Sequence, residues 1–305
     1  MKILFMGTPD FAVPSLESLW SAGHEIVGVF TQPDKPKNRG MKLQAPPVKE
    51  FAQEKNIAAH QPEKVKDGKA LEIIKSIQPE LIVVAAYGRI LPKEILDYPK
   101  YGCINVHSSL LPKYRGAAPI HWAIVNGETE SGVTIMHMAQ ALDAGDIISQ
   151  VKTPIDPDET VESLHDRLAV LGADLLVKTI ADIEAGTATR TKQDESKVTF
   201  APMLSRDLSQ MDWEKSAKAL HDQVRGLTPW PSAAAQIGTQ RFKIWKTALT
   251  DRQTNKTPGT VLEAGDDGIF MACQGGSVLC ILELQAEGKR RMTAADYLRG
   301  NKLEA

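Results

Sequence analysis

Asn105 and His107 stand two positions apart near the end of the apolar run CINVH, and the chain turns at once into SSLLPKYRG. On a β-strand such a pair projects from one side. A strand end in an open α/β sheet is where side chains leave the core and enter the ligand crevice. A carboxamide there can donate to a developing oxyanion, and an imidazole can exchange a proton near neutral pH. A carboxylate that orients or charge-stabilises the imidazole would complete the set. Asp143, in ALDAGD between the runs GVTIMHM and DIISQVKTPI, is the candidate for that part.

The elements that must position these groups are legible as alternating patterns. KILFM, EIVGVF, ELIVVAAY and CINVH are strand runs, and helical segments are expected up to about residue 20 and over 48–55, 69–77, 93–96 and 117–126. Continuous β-branched runs alternating with helices predict a Rossmann-like, mostly parallel sheet covered on both faces. Two further strands, GVTIMHM and DIISQVKTPI, precede a helix over 161–184 that Thr160 would cap. Residues 186–207 are polar and aperiodic, so 190–205 reads as a linker between a first domain, 1–189, and a second, 206–305. In the second, a helix over 216–225 and short runs such as RFKIWKTAL, GIFMAC and VLCILEL predict a small, mainly β barrel or sandwich.

Composition narrows the function. With 305 residues, 42% apolar and 24% charged, the chain suits one large or two ordinary folded domains, and no apolar run is long enough to cross a membrane. The opening MKILFMGTPDF lacks a cleavable secretory pattern, so a cytoplasmic location is expected. Cys103, Cys273 and Cys280 fall in no metal or disulfide spacing, and the seven histidines form no ligand cluster, so no metal is expected. The first turn, MGTPDFAVPS, has one glycine where a dinucleotide fold needs three, which disfavours a nicotinamide enzyme. Thr8-Pro9-Asp10 instead reads as a helix start, with hydroxyl cap, proline and first-turn acid, or as a ligand contact. Neither a Walker loop nor a G-x-S-x-G elbow occurs. The connection 32–49 is long and carries Lys35, Lys37, Arg39, Lys42 and Lys49 against Asp34, with Gly40 and several prolines opposing regular structure. It fits either a solvated surface loop or a loop that wraps a polyanion.

NVHSSLLPKYRGAAPIHWAIVNGETESGVTIMHM, together with LDAGDI, resembles the folate-dependent formyltransferases. GTPDFAVPSL, VVAAYGRILP, the Arg39-Gly40 loop and GLTPWPSA extend the likeness over nearly the whole chain, toward the members that act on tRNA. The resemblance implies a catalytic set of Asn105, His107 and Asp143. It also implies folate binding by Ser109, Leu110, Leu111 and Pro112, by Arg89, Ile90 and Leu91, and by the 139–143 loop. The expected reaction moves a formyl group from 10-formyltetrahydrofolate to the methionine amino group of initiator methionyl-tRNA, with either His107 or Asp143 taking the amine proton and with no metal. Lys35, Lys37, Arg39 and Lys42 would hold the tRNA acceptor end, and the second domain would be an OB-like barrel whose Arg241, Lys243 and Lys246 meet the RNA backbone. A monomer suffices. The rivals are a sugar-nucleotide N-formyltransferase with the same donor, a glycinamide ribonucleotide formyltransferase, which would need no second domain, and a non-enzymatic RNA-binding module.

Overall fold

A computed structural model describes residues 1–37 and 42–303. They group into two compact units. The first draws on Met1–Gly116, Gly132–Thr153 and His165–Phe200, and the second on Ala117–Ser131, Pro154–Leu164 and Ala201–Ala305.

The first unit is built on a seven-stranded mixed sheet. Its order is Ile147–Pro154, Glu130–His137, Cys103–His107, Leu81–Ala85, Lys2–Gly7, Glu25–Phe30 and Ala59–His60. From Cys103–His107 to Ala59–His60 neighbouring strands pair in parallel, and Glu130–His137 runs antiparallel to Cys103–His107. The parallel part is continuous in apolar residues because both faces are covered. Ile3, Leu4, Phe5, Met6, Leu81, Ile82 and Val83 are wholly buried. Each such apolar side chain contributes about 1.5–3 kcal/mol by leaving water. Helices supply the cover: in Lys69–Ile77, Ala70 and Ile74 lie one turn apart and both are buried, and the long helix Val161–Ala185 buries Leu168, Leu176 and Ile180.

Strand order reverses at Lys2–Gly7, which lies between the second strand of the chain and Leu81–Ala85. Such a reversal opens a crevice at the carboxyl ends of the strands. Gly7, at that end, has no room for a side chain, since a Cβ would lie 2.7–2.9 Å from Phe5, Ala12 and the Ala85 carbonyl. Thr8 does not cap a helix as its sequence context suggests. Its hydroxyl donates to the Tyr87 carbonyl (3.3 Å) and accepts from the Gln32 amide (3.2 Å), knitting three strand ends together.

The second unit is mainly β. Its antiparallel strands run in the order Ala233–Ile237, Gln240–Gln253, Ser277–Ala286, Gly268–Ala272 and Val261–Gly265. The helix Ala217–Leu227, capped by the Ser216 hydroxyl accepting from Ala219, packs Leu220 and Val224 onto Ile244, Leu279 and Ile281. The expected barrel is not closed: among the described residues the two outer strands of this path do not pair with each other.

Candidate active site

His107 ends the strand Cys103–His107 and is 5% exposed. Its Nε2 lies 3.0 Å from the Tyr114 carbonyl oxygen. A carbonyl only accepts, so Nε2 carries a hydrogen. The other ring nitrogen, Nδ1, faces Asp143 Oδ2 at 3.7 Å. The imidazole and the carboxylate therefore face each other across a gap slightly longer than a hydrogen bond. Asp143 Oδ2 also accepts from the Gly116 amide at 2.9 Å, which fixes the carboxylate in place.

Asn105 lies two residues before His107 on the same strand, half-buried, and its carboxamide makes no hydrogen bond among the described residues. The strand period brings a free amide donor to the side from which the imidazole projects.

Two backbone positions flanking the pair are left-handed: Tyr114, with φ 63°, and Asp143, with φ 48°. Non-glycine residues in that region carry about 1–3 kcal/mol of strain each and persist only where the surroundings over-determine them. Gly145, in the same loop, is required for space, because a Cβ would stand 1.7 Å from the His137 carbonyl.

The SSLLP turn is largely committed to the fold. The Ser109 hydroxyl donates to the Lys113 carbonyl (2.7 Å), and the Ser109 carbonyl accepts from Thr134 Oγ1 (2.7 Å). Leu111 is buried, its amide bound to Thr134 and its carbonyl to Gln150, while Leu110 and Pro112 are half-buried. Leu91 is buried beside Tyr87, Ile95 and Cys103, whereas Arg89 and Ile90 are exposed, Ile90 by 67%. Burial pushes the Tyr87 phenol up to about 12, and its hydroxyl is buried without a partner.

The basic connection is more regular than its composition implies. Lys35–Lys37 and Lys42–Gln44 pair as a short antiparallel ladder, with Lys37 opposite Lys42, while Arg39 lies outside the described residues. Lys35 is exposed and donates to Gln32 Oε1 (3.0 Å). Lys49 is not available to a ligand: it binds both oxygens of Asp34 at 2.8 Å and Gln61 Oε1 at 2.7 Å. Those bonds from Lys49 and Gln61 hold the Asp34 carboxyl below its ordinary range.

The sequence reading missed the residues behind the pair. Arg115 is 5% exposed. It binds Gln193 Oε1 through Nε (3.0 Å) and Nη2 (2.8 Å), and Glu195 through Nη2 (2.8 Å). Only its place in the conspicuous KYRG turn marked it, and nothing marked Gln193 within a polar, aperiodic stretch. Among the described residues no group of three His, Cys, Asp or Glu side chains has the arrangement of a metal site, and no helix is long and apolar enough to cross a membrane.

Residues 1–180 match the family model described as formyl transferase, and residues 203–302 match that of the formyl transferase C-terminal domain. Proteins named methionyl-tRNA formyltransferase from Geotalea uraniireducens (strain Rf4) and Bacillus subtilis (strain 168) are 49% and 48% identical to this chain. The alignments cover 99% and 100% of it and 96% of each relative. In fold, the chain is similar to the crystal structure of WlaRD, a sugar 3N-formyl transferase, with a TM-score of 0.71 at 21% identity over 95% of this chain and 99% of that one. Both parts of the chain match the family and its full length aligns with relatives nearly half identical to it, so the chain belongs to the formyltransferases.

Proposed function

We propose that this chain transfers the formyl group of 10-formyltetrahydrofolate to the amino group of methionine on initiator methionyl-tRNA, for translation initiation. One observation carries the reading: a free Asn105 carboxamide and a facing His107–Asp143 pair meet at the end of one central strand, in a chain whose relatives at 48–49% identity bear the corresponding name. Formyltetrahydrofolate supplies the activated one-carbon unit.

Attack of the uncharged amine on the formyl carbon places negative charge on the formyl oxygen. Asn105 donates to that oxygen, and one preorganised donor of this kind is worth about 3 kcal/mol. Because the Nε2 hydrogen is engaged by Tyr114, the basic side of the pair is the space between Nδ1 and Asp143 Oδ2. Together the two groups take the proton lost by the amine. When the tetrahedral intermediate collapses, the bond between the formyl carbon and the folate's donor nitrogen breaks, and the pair returns that proton to this nitrogen, so that tetrahydrofolate leaves as a neutral amine. In this reading Ser109, Leu111 and Leu91 support the folate site from within the fold. Leu110, Pro112, Arg89 and Ile90 contribute the surfaces that meet the folate.

Lys35, Lys37, Arg39 and Lys42 hold the acceptor end of the tRNA. In the OB-like second part, 206–305, a cavity of about 570 Å³ is lined by Arg206, Trp230, Arg241, Lys243, Gln285 and Glu287, among others. Arg206, Arg241 and Lys243 are exposed and have no carboxylate partner among the described residues, and Trp230 is 50% exposed. Unpaired cations beside a flat aromatic surface suit phosphates and an unstacked base.

The test offers the protein 10-formyltetrahydrofolate with methionyl initiator tRNA and, separately, with an amino-sugar nucleotide. Transfer to the aminoacyl-tRNA is expected, with Arg241→Ala/Lys243→Ala raising its KM and leaving kcat unchanged. Preference for the sugar would reassign the substrate and keep the reaction type.

A further inference from the structure

The segment between the long helix and the second unit lies against the candidate site in a way that its polar, aperiodic sequence does not announce. Thr189 Oγ1 donates to the Ile148 carbonyl (2.8 Å), and the Thr191 and Ile147 backbones exchange hydrogen bonds in both directions (2.8 and 2.9 Å). Gln193 comes next and uses its whole amide. Its Nε2 donates to the Asp143 carbonyl (2.8 Å) and the Gly145 carbonyl (2.7 Å), while its Oε1 accepts from Arg115 Nε and Nη2. The partners fix the orientation of this amide, because carbonyls cannot donate and a guanidinium cannot accept. Glu195 takes the remaining face of the Arg115 guanidinium, which holds the Glu195 carboxyl below its ordinary range. Finally Thr199 Oγ1 accepts from the Tyr114 amide (2.9 Å), and the Thr199 carbonyl accepts from the Arg115 amide (2.9 Å).

These contacts fall on a particular set of atoms. Tyr114 and Asp143 are the two left-handed residues beside the pair. The carbonyl of Tyr114 holds His107 Nε2, and the side chain of Asp143 faces His107 Nδ1. The segment thus grips the backbone of both residues that grip the imidazole. We propose that residues 189–199 form a positioning strap. Through Gln193, Arg115 and Thr199 it sets the distance and alignment of the His107–Asp143 pair. The proposal rests on the reading of that pair as the proton-handling unit of formyl transfer. Gln193, Arg115 and Thr199 touch no reacting atom in it and act through the loop backbones. A misplacement of a catalytic group by about 1 Å is enough to cost about a hundredfold in rate.

The experiment compares Gln193→Ala, Gln193→Glu, Thr199→Val and Thr199→Ser in the full chain with His107→Ala and Asp143→Asn. It measures kcat, both KM values and the pH dependence of kcat, with circular dichroism as the check on folding. Gln193→Glu keeps an acceptor for Arg115 at nearly unchanged size but points a carboxylate at two carbonyls. It is expected to lower kcat about 10- to 100-fold, with KM for folate and tRNA within about twofold, and to move the pH profile of kcat. Thr199→Val should lower kcat in the same way, and Thr199→Ser should restore it. Wild-type kcat and pH profile in a folded Gln193→Glu chain, alongside inactive His107→Ala and Asp143→Asn, overturn the strap and leave the catalytic pair standing. Unimpaired His107→Ala and Asp143→Asn overturn the catalytic pair instead. A fall confined to stability, with kcat and its pH profile unchanged, also overturns the strap.

Discussion

Among the described residues two buried histidines have acidic neighbours, and their surroundings differ in one decisive respect. His107 faces Asp143 at the end of a sheet strand, and the adjacent Asn105 carboxamide has no partner among the described residues. His221, in the second unit, is 3% exposed with every polar neighbour engaged. Its Nδ1 lies 2.9 Å from Thr247 Oγ1, and its Nε2 lies 3.2 Å from both the Pro157 carbonyl and Asp158 Oδ1. Beside it Asp222 takes two hydrogen bonds from Arg225 and one from Lys218, and Arg225 reaches the Glu159 carbonyl at 2.9 Å. The same residue types make a candidate site in one place and a buried truss in the other. Hydrogen-bonding capacity left over for a ligand separates the two, and a buried network with none left over serves the fold.

The contrast is sharpest under substitution. His107→Ala should cut formyl transfer by about 10²- to 10⁴-fold with the fold preserved by circular dichroism, the range for losing a positioned acid–base group. His221→Ala should act on stability, so an equal loss of turnover from both variants, each fully folded, would erase the distinction. Asp222→Ala strands the buried Arg225 guanidinium, and a cost of about 3–5 kcal/mol is expected, read from the urea midpoint. A midpoint unchanged from the parent would mean that the truss carries no load. The smallest effect is pH-dependent. Burial, the largest influence on His221, pulls its pKa below the usual value. The unfolded chain therefore binds its proton at higher pH than the folded one. The stability contributed is present above the unfolded value, near 6.5, and is lost as pH falls below it toward the folded value. His221→Gln should flatten the stability–pH curve in that window relative to the parent, and identical slopes for the two proteins would contradict the assignment.

The placement of Asn105 and His107 on one strand, and the sheet that holds them, were legible because both follow short-range rules. Period-two spacing puts Asn105 and His107 on one side, and continuous apolar runs announce buried parallel strands. Lys49 and Ser109 read differently in sequence and in structure, since residue type does not say whether a hydroxyl or ammonium is already engaged. Asp34 and Gln61 absorb the first, and the Lys113 carbonyl takes the second. Gln193 had no signal at all: a single glutamine in an extended segment acquires its role only from the three-dimensional positions of Asp143, Gly145 and Arg115. Barrel closure was also beyond reach. It depends on strand stagger, which shifts at irregularities such as those between Ile244 and Thr247 in the long strand, and alternation in sequence does not encode stagger.

The second unit takes in Ala117–Ser131 and Pro154–Leu164 as well as the C-terminal third of the chain, so the polypeptide passes from one unit to the other at 116/117, 131/132, 153/154, 164/165 and 200/201. A single splice near residue 200, the natural choice for exchanging the C-terminal part, would separate the helix Ala217–Leu227 from its native packing partner Pro119–Val125. Gly226 shows how tight that packing is, because a Cβ there would lie 2.6 Å from Val125 Cγ2. Recombination of this scaffold must therefore move three segments together, so the C-terminal part and its two inserts are inherited as one block.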